Sequence, residues 1–389
     1  MTMNFQSTDA VGRISAPSLE EVVATHHFEQ PTLVLDTSIV AANFRALDAG
    51  LGDAVIHYAV KANPAPQIIE TLVEEGAGFD AASRGEIELC LSMGARPDHI
   101  SFGNTIKKER DIAYAHRVGI TLFAADAEEE LEKIARNAPG ARVYIRIITE
   151  PNGADWPLTR KFGCAPERAE ALLSYASELG LDPVGLSFHV GSQTRFASQW
   201  THTLGQVAAV WHNARAAGHD LRLLNIGGGF PAFHGEDIDA PTDYASAVRA
   251  QVRDLFGNVE TLMAEPGRSL VADAGMIAAE VVLVSRKSET DLHRWVYLDI
   301  GRFSGLAETE GEAIRYQLQT WRDGEETGPC ILAGPSCDSV DVLYEKRPVQ
   351  LPLSLRAGDR IVIRNCGAYT STYASVGFNG FPPLDVMVI

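Results

Sequence analysis

Short apolar runs alternate along this chain with amphipathic stretches of helical period, and this alternation constrains the fold more than any other feature. Eight runs have the length and composition of buried strands. In chain order they are VIHYAV (55–60), AGFDAA (77–82), HISFGN (99–104), TLFAAD (121–126), RVYIRII (142–148), GLSFHV (185–190), LLNIGG (223–228) and TLMAEP (261–266). Eight strands that alternate with helices are typical of a (β/α)8 barrel of the TIM type. The count alone leaves an open, doubly wound sheet possible.

The pattern changes after about residue 275, where apolar runs follow one another without helical stretches between them. These runs are AAEVVLVSRK, RWVYLDI, PVQLPL and DRIVIRN. We therefore expect an α/β protein with a barrel over residues 34–272 and a C-terminal β domain, a β-sandwich or β-barrel, over residues 273–389. Residues 1–33 precede the first barrel run, and we expect this N-terminal segment to join the β domain.

Composition excludes several classes of function. The chain of 389 residues has a formal net charge of −18, spread along its length, which argues against nucleic acid and anionic membranes as partners. It contains neither a secretory signal pattern nor an apolar run of about 18 residues, the length that spans a membrane. Five cysteines are an odd number and show no CxxC spacing, which argues against disulfides and structural zinc. We expect a cytoplasmic protein.

Charged and polar residues lie at or near the ends of the predicted barrel strands. Active sites of such barrels lie at the C-terminal ends of the strands, so these side chains should meet at one rim. They are Lys61, Asp80, Asn104, Arg146, His189, Gly227–Gly229 and Glu265. Each has an ordinary structural explanation as a solvated lysine, a core histidine, a helix-capping acid or a tight turn. Their convergence makes coincidence a poor explanation.

The chemistry of this set indicates a cofactor. The chain has no HExxH metal spacing and no GxSxG elbow, its histidines are scattered, and GGGF (227–230) does not match the GxGxxG fingerprint. Backbone N–H groups of a glycine turn can still bind a phosphate, and EPGR (265–268) adds an arginine nearby. A lysine, a phosphate cradle and an acid suggest pyridoxal 5′-phosphate (PLP), bound covalently by the lysine and paired with the acid through its pyridine nitrogen. We expect no metal.

Eight motifs give the chain its resemblance to a known family. They are YAVKANP, FDAASRGEIE, WPLTRKFGC, SFHVGSQ, NIGGGFP, AEPGRSLVADAG, GPSCDSVD and GAYTSTYASVGFNGFPP, spread from residue 58 to residue 383. In this order they resemble the barrel-type PLP-dependent amino acid decarboxylases, which share the alanine racemase-like fold, and most closely the ornithine decarboxylases. The resemblance covers nearly the whole chain. It implies a carboxy-lyase that acts as a homodimer with shared active sites.

The resemblance also implies a role for each matched residue. Lys61 would hold PLP covalently, His189 would stack on the ring and Glu265 would keep the pyridine nitrogen protonated. Asp80 and Arg146 would lie close to the cofactor, and Cys337 of a second subunit would return a proton to Cα after carbon dioxide leaves. The phosphate would be surrounded by Ser192, Gly228, Gly229, Gly267, Arg268 and Tyr369. The substrate would be bound by Asp338, Glu310, Tyr369 and Phe378.

The implied reaction is the conversion of L-ornithine to putrescine and carbon dioxide, in polyamine biosynthesis. Asp338 would receive the distal ammonium of the substrate, and Glu310 would gauge its length. The choice between ornithine and lysine as the substrate stays open, because the longer side chain of a glutamate at position 310 changes the space left for the substrate. The alternatives are a bifunctional lysine/ornithine decarboxylase, a diaminopimelate decarboxylase, a non-catalytic regulatory homologue and a PLP-dependent racemase. The retention of Lys61, Glu265 and Cys337 together argues against the non-catalytic homologue.

Overall fold

The structure is a computed structural model that describes residues 17–149 and 161–389. The described chain begins with helix α1 (Leu19–Thr25), strand β1 (Thr32–Leu35) and helix α2 (Thr37–Leu51). Asp36 begins α2 by accepting a hydrogen bond of 2.9 Å from the backbone N–H of Ser38, a common helix cap.

The barrel predicted from the alternation is confirmed. Within the described residues, eight parallel strands close on themselves in chain order, each hydrogen-bonded to the next and the last to the first. The strands are β2 (Val55–Ala59), β3 (Gly78–Ala81), β4 (Ile100–Phe102), β5 (Leu122–Ala125), β6 (Arg142–Arg146), β7 (Asp182–Ser187), β8 (Leu223–Asn225) and β9 (Thr261–Ala264). Each overlaps one of the eight apolar runs. The closed barrel excludes the open, doubly wound sheet.

Helices follow the barrel strands and cover them on the outside. They are α3 (Pro66–Glu74), α4 (Arg84–Ser92), α5 (Glu109–Arg117), α6 (Glu128–Asn137), α7 (Ala169–Glu178), α8 (Trp200–Ala216), α9 (Pro241–Phe256) and α10 (Arg268–Val271). The interior of the barrel is filled by one cluster of buried side chains: Leu122, Ala124, Tyr144, Val184, Leu223 and Met263. The C-terminal ends of the strands lie above this cluster and form the floor of an open site. No helix of the two described ranges is long and apolar enough to cross a membrane.

The second domain is a separate mixed sheet, as expected for residues after the barrel. Over the described part of the chain it contains β1 and eight later strands. These are β10 (Gly275–Ser285), β11 (Arg294–Leu298), β12 (Gln317–Thr320), β13 (Thr327–Ala333), β14 (Val342–Leu343), β15 (Val349–Pro352), β16 (Arg360–Arg364) and β17 (Asp385–Val388). The four predicted runs correspond to β10, β11, β15 and β16.

Strand β1 ties the beginning of the described chain to this sheet. It pairs antiparallel with β10, where Leu33 is opposite Ile277, and parallel with β17, where Leu33 is opposite Val386. Helix α1 packs on the same sheet through Leu19 and Val23. The boundaries at residues 33 and 272 stay predictions, as does the placement of residues 1–16, which lie outside the described residues.

Candidate active site

A cavity of about 350 Å³ lies at the C-terminal ends of the barrel strands, where the sequence predicted a site. It is lined by Lys61, Asp80, Ala82, Gly103, Asn104, Tyr144, Arg146, Phe162, Ser187, Phe188, His189, Ser192, Glu265, Glu308, Tyr369 and Tyr373. A larger cavity of about 490 Å³ lies at the opposite mouth of the barrel, beside the beginnings of the strands. The smaller cavity holds the predicted chemistry, so it is the candidate active site.

The side chain of Lys61 lines this cavity. β2 ends at Ala59, and a single helical turn, Val60–Ala62, then carries the lysine over the rim. Its side chain is 52% exposed, and its Nζ lies 3.6 Å from Oδ2 of the buried Asp80. Burial of the ammonium lowers the pKa of Lys61, but the charges of Asp80, Tyr369 and Glu265 outweigh this and raise it above its ordinary value. Without the cofactor, Lys61 is therefore a protonated lysine held beside an acid.

A second lysine near the rim is closed off from the cavity. The side chain of Lys107 is fully buried, and its Nζ donates hydrogen bonds of 2.8 and 2.6 Å to the carbonyls of Asn104 and Ala124. It also lies 3.1 Å from Glu130. Burial lowers the pKa of Lys107 to about 8, against the opposing attraction of Glu130. All these contacts hold the ammonium inside the protein, so Lys61 is the better candidate nucleophile.

Glu265 is a partly buried carboxyl group that lies directly after β9. Asn225 donates a hydrogen bond of 2.5 Å to its Oε1, and the hydroxyl of Tyr144 lies 3.5 Å from the same atom. Burial, with the nearby charge of Asp80, raises the pKa of Glu265 to about 7, while Asn225 and Lys61 oppose the rise. Among the residues that the structure describes, no lysine or arginine forms an ion pair with Glu265, and a protonated ring nitrogen would supply a cationic partner.

His189 is neutral and has a fixed orientation. It follows β7, and its Nδ1 accepts a hydrogen bond of 3.0 Å from the backbone N–H of Gly191. The ring proton is therefore on Nε2. Burial, helped by the charges of Arg146 and Lys61, lowers the pKa of His189 to about 3. A neutral imidazole of fixed orientation at the cavity wall can lie against a flat aromatic ligand.

The glycine turn after β8 lies tightly against the histidine loop. Gly229 has a φ of +102°, and a Cβ there would come within 2.5 Å of the Gly191 carbonyl. A Cβ at Gly228 would lie 2.7 Å from the Glu265 carbonyl. A Cβ at Gly267 would lie 3.2 Å from the Tyr369 hydroxyl and 3.0 Å from Ala62. Gly228 and Gly229 therefore need residues without side chains, as expected where a ligand approaches the backbone, while a side chain at Gly267 would require its neighbours to shift by a few tenths of an ångström.

Arg268 lies beside this turn, where the sequence predicted a phosphate-binding cation. Its Nη2 and Nε lie 3.2 and 3.4 Å from the Oγ of Ser192, and its guanidinium lies 5.0 Å from the Tyr369 ring centroid. The adjacent edge of the guanidinium, formed by Nη1 and Nη2, donates two hydrogen bonds, of 2.7 and 2.6 Å, to Glu308. Burial lowers the pKa of Arg268, and Glu308 more than offsets this, so the guanidinium stays charged.

Several residues of this site were not predicted from the sequence, among them Asn225, Glu308 and Tyr373. Asn225 bridges Glu265 and the glycine turn, because its Oδ1 also accepts a hydrogen bond of 2.8 Å from the Gly227 N–H. Glu308 and Tyr373 come from the second domain. Asn225 lies within the predicted run LLNIGG (223–228) and Tyr373 within the motif GAYTSTYASVGFNGFPP, and these were the usable signals. The contact of Glu308 with Arg268 has no counterpart in local sequence patterns.

Four residues predicted to act on the substrate are exposed and lie outside the cavity of this chain. Glu310 has a side chain 71% exposed and lies 3.6 Å from Arg302, and its role as a length gauge stays a prediction. The short helical segment Ala307–Glu312 contains a kink at Glu310 and Gly311, which separates Glu310 from the cavity-lining Glu308. The others, all exposed, are Cys337, Asp338 and Phe378.

The exposed residues form one surface region. The backbone N–H of Cys337 donates a hydrogen bond of 3.1 Å to Asn379, and Phe378 packs on Phe303 with ring centroids 4.7 Å apart. Apolar side chains around these two loops are also exposed, namely Val340, Val376, Phe378 and Phe381. A contiguous apolar surface on a folded chain is typical of an interface. In motif WPLTRKFGC, residues 156–160 lie outside the described residues, and Phe162 lines the cavity.

Comparison with known proteins gives a consistent result. Residues 37–272 match the family described as "Pyridoxal-dependent decarboxylase, pyridoxal binding domain". The lysine/ornithine decarboxylase of Selenomonas ruminantium is 32% identical over 354 residues, covering 90% of this chain and 87% of that protein. Antizyme inhibitor 2 of Xenopus laevis is 33% identical over 339 residues, covering 83% of this chain and 73% of that protein.

A solved structure supports the same relationship. The Paramecium bursaria Chlorella virus arginine decarboxylase bound to agmatine superimposes with a TM-score of 0.85 at 28% identity, covering 95% of this chain and all of that one. These similar proteins differ in the substrates that their names give, so the comparison identifies the fold and the class of reaction and leaves the amino acid undecided.

Proposed function

Because this chain belongs to the pyridoxal-dependent decarboxylases, we propose that it converts L-ornithine to putrescine and carbon dioxide. The observation that carries the proposal is the joint placement of Lys61, His189, Ser192 and Glu265 in one cavity, with Arg268 beside Ser192. Decarboxylation of a basic amino acid by a PLP enzyme is the coarser conclusion, and the family supports it directly. The choice of ornithine is the proposal.

The cavity residues fit PLP on their own chemistry. Among the described residues, one oxygen of the buried Asp80 has no hydrogen-bond partner, and burial together with the charge of Asp80 raises the pKa of Glu265. A polar ligand with a protonated ring nitrogen would satisfy such a pair of acids. Bound PLP supplies an aromatic ring that accepts the electron pair released when the substrate loses carbon dioxide.

We assign the protein's own contribution residue by residue. Lys61 holds the cofactor covalently, and His189, held by Gly191, limits the ring to one plane. Glu265 keeps a proton on the ring nitrogen, and Asn225 holds that carboxylate in place. The glycine turn, Ser192 and Arg268 bind the phosphate, with Gly267 and Tyr369 beside them, and Asp80 and Arg146 complete the wall.

A second copy of the chain would complete the site. The candidate acid Cys337 does not line the cavity of its own chain and is exposed on a loop together with Asp338. The apolar side chains around that loop suit an interface between identical chains. We therefore infer a homodimer in which Cys337 and Asp338 of one subunit reach the cavity of the other.

Asp338 is the proposed anchor for the distal ammonium of the substrate. A carboxylate that receives an ammonium at a buried interface discriminates strongly against substrates without it. Glu310 is assigned no contact in the cavity of its own chain, because its side chain is 71% exposed and pairs with Arg302, and its role as length gauge stays a prediction. A bifunctional lysine/ornithine decarboxylase is the second candidate, supported by the Selenomonas relative. Diaminopimelate decarboxylase ranks below these, because Asp338 would repel a second substrate carboxylate.

The first experiment tests the alternative of a non-catalytic homologue by asking whether PLP becomes covalently linked to Lys61. After borohydride reduction of the cofactor-loaded protein, we expect PLP fixed to the peptide that contains Lys61, because its side chain opens into the cavity. Peptide mapping by mass spectrometry measures this. Lys107 is the internal comparison, since burial has lowered its pKa while keeping it outside the cavity. Label on the Lys107 peptide, or no label at all, would remove the proposed site.

Substrate choice is tested by carbon dioxide release from ornithine, lysine, arginine, diaminopimelate and norvaline. One methylene in a fitted pocket is worth roughly 1–3 kcal/mol, so we expect ornithine to exceed lysine in kcat/KM by about 10- to 200-fold. Norvaline, which lacks the distal amine, should react far more slowly than lysine. Asp338→Ala should depress both diamino acids. A preference for lysine, arginine or diaminopimelate would overturn the ornithine assignment while leaving the class of reaction.

A further inference from the structure

We propose that Glu308 is a positioning residue for the cofactor's phosphate, because it fixes which edge of the Arg268 guanidinium faces the glycine turn. Glu308 lies in the segment Ala307–Glu312, beyond the residues that match the cofactor-binding family. The inference rests on the proposed assignment of Arg268 and Ser192 to the phosphate. It adds a residue of the second domain to a cradle otherwise built mainly from the barrel.

The two edges of the guanidinium have different partners. Nη1 and Nη2 donate hydrogen bonds of 2.7 and 2.6 Å to the two carboxylate oxygens of Glu308, a bidentate arrangement. Nε and Nη2, on the adjacent edge, lie 3.4 and 3.2 Å from the Ser192 hydroxyl. A phosphate that contacts Ser192 therefore meets the Nε edge. The carboxylate occupies the other edge and prevents the guanidinium from turning.

Burial makes this pairing strong and specific. The side chains of Arg268 and Glu308 are 3% and 6% exposed. A charge at such depth needs a partner, and removing one member of a buried pair leaves the other uncompensated. The Tyr369 ring, 5.0 Å from the guanidinium, restricts its remaining freedom. In the absence of the carboxylate, Arg268 could offer either edge to an anion.

Charge and position predict opposite effects of removing Glu308. A carboxylate near a phosphate site repels the phosphate, so loss of its charge alone would tighten the binding of PLP. Loss of the bidentate contact would instead release the guanidinium and weaken the binding. The sign of the change in affinity separates a positioning role from a merely opposing charge.

The experiment titrates the cofactor-free protein with PLP and, separately, with pyridoxal, which lacks the phosphate. For Glu308→Gln we expect PLP to bind about 10- to 100-fold more weakly, the range found for outer partners of metal ligands, with little change for pyridoxal. Glu308→Asp keeps the charge but shortens the reach, so it should also weaken PLP binding. Unchanged or tighter PLP binding by these variants would overturn the proposal.

Glu312 provides the matched control on the same segment. It is also a buried acid, and it pairs with Arg315 and Arg347, away from the cradle. Glu312→Gln should leave the ratio of PLP to pyridoxal affinity unchanged. A loss of PLP affinity equal to that of Glu308→Gln would mean that loosening the segment explains both effects.

In an Arg268→Gln background, Glu308→Gln should cause no further loss of PLP affinity. Wild-type protein that binds PLP no better than pyridoxal would instead refute the proposed cradle itself.

Discussion

Replacement of Glu265 by alanine is expected to lower the rate of decarboxylation by about 100-fold or more, the cost of losing one preorganised electrostatic contact in an active site. Glu265 is partly buried and lines the cavity; burial raises its pKa to about 7, and Asn225 donates a hydrogen bond of 2.5 Å to it. Its carboxylate favours the protonated form of a ring nitrogen beside it, and each pKa unit of that preference is worth about 1.4 kcal/mol.

PLP occupancy should fall much less than the rate, because Lys61 and the phosphate cradle hold the cofactor independently of Glu265. Initial rates of carbon dioxide release and the absorbance of bound PLP measure the two effects. Glu265→Gln keeps the volume and removes the charge, so it should match the alanine variant. Glu260→Gln, at the opposite end of β9, is the control and should leave the rate unchanged. Near-normal turnover by both Glu265 variants would exclude the assigned role.

Mixing two inactive variants is expected to restore activity from near zero to about a quarter of wild type. Lys61→Ala removes the residue that holds PLP, and Cys337→Ala removes the proposed proton donor. If Cys337 serves the cavity of the other chain, each hybrid dimer has one intact site. Random exchange makes about half of the dimers hybrid, and half of their sites are intact.

The control mixes Lys61→Ala with Glu265→Ala, two residues of the same cavity. Each hybrid then has one site without the lysine and one without the acid, and no activity should return. Subunit exchange is verified by differently tagged chains. If exchange occurs and the Lys61→Ala and Cys337→Ala mixture stays inactive, Cys337 does not act across the interface.

The barrel and its rim were predictable because both follow local rules. Buried parallel strands are short apolar runs, and the polar residues at their ends converge once the barrel closes. Lys61, Asp80, His189 and Glu265 lie together for this reason. Strands β12 and β13 were missed because QLQT is polar and TGPCILA contains Gly328 and Pro329, which ordinarily interrupt a strand.

The sequence alone could not show which acid of the segment Ala307–Glu312 lines the cavity. Glu308 and Glu310 lie two residues apart, and both precede the same Ile-Arg pair. Which one faces the cavity depends on the kink at Glu310 and Gly311, where Gly311 has a φ of +62°. The bidentate contact of Glu308 with Arg268 joins segments 40 residues apart, beyond the reach of any periodic pattern.

The pairing of β1 with β17 determines which part of the fold is completed last during synthesis. The eight barrel strands emerge from the ribosome one after another, and each strand after the first pairs with the strand made just before it, so the barrel can form while translation continues. Strand β1 emerges before all of them, yet one of its partners, β17, emerges only after all the other strands of the sheet. Until then an edge of β1 stays unpaired and accessible to chaperones or to neighbouring nascent chains. Closing this sheet is therefore a late, long-range step in the maturation of the enzyme.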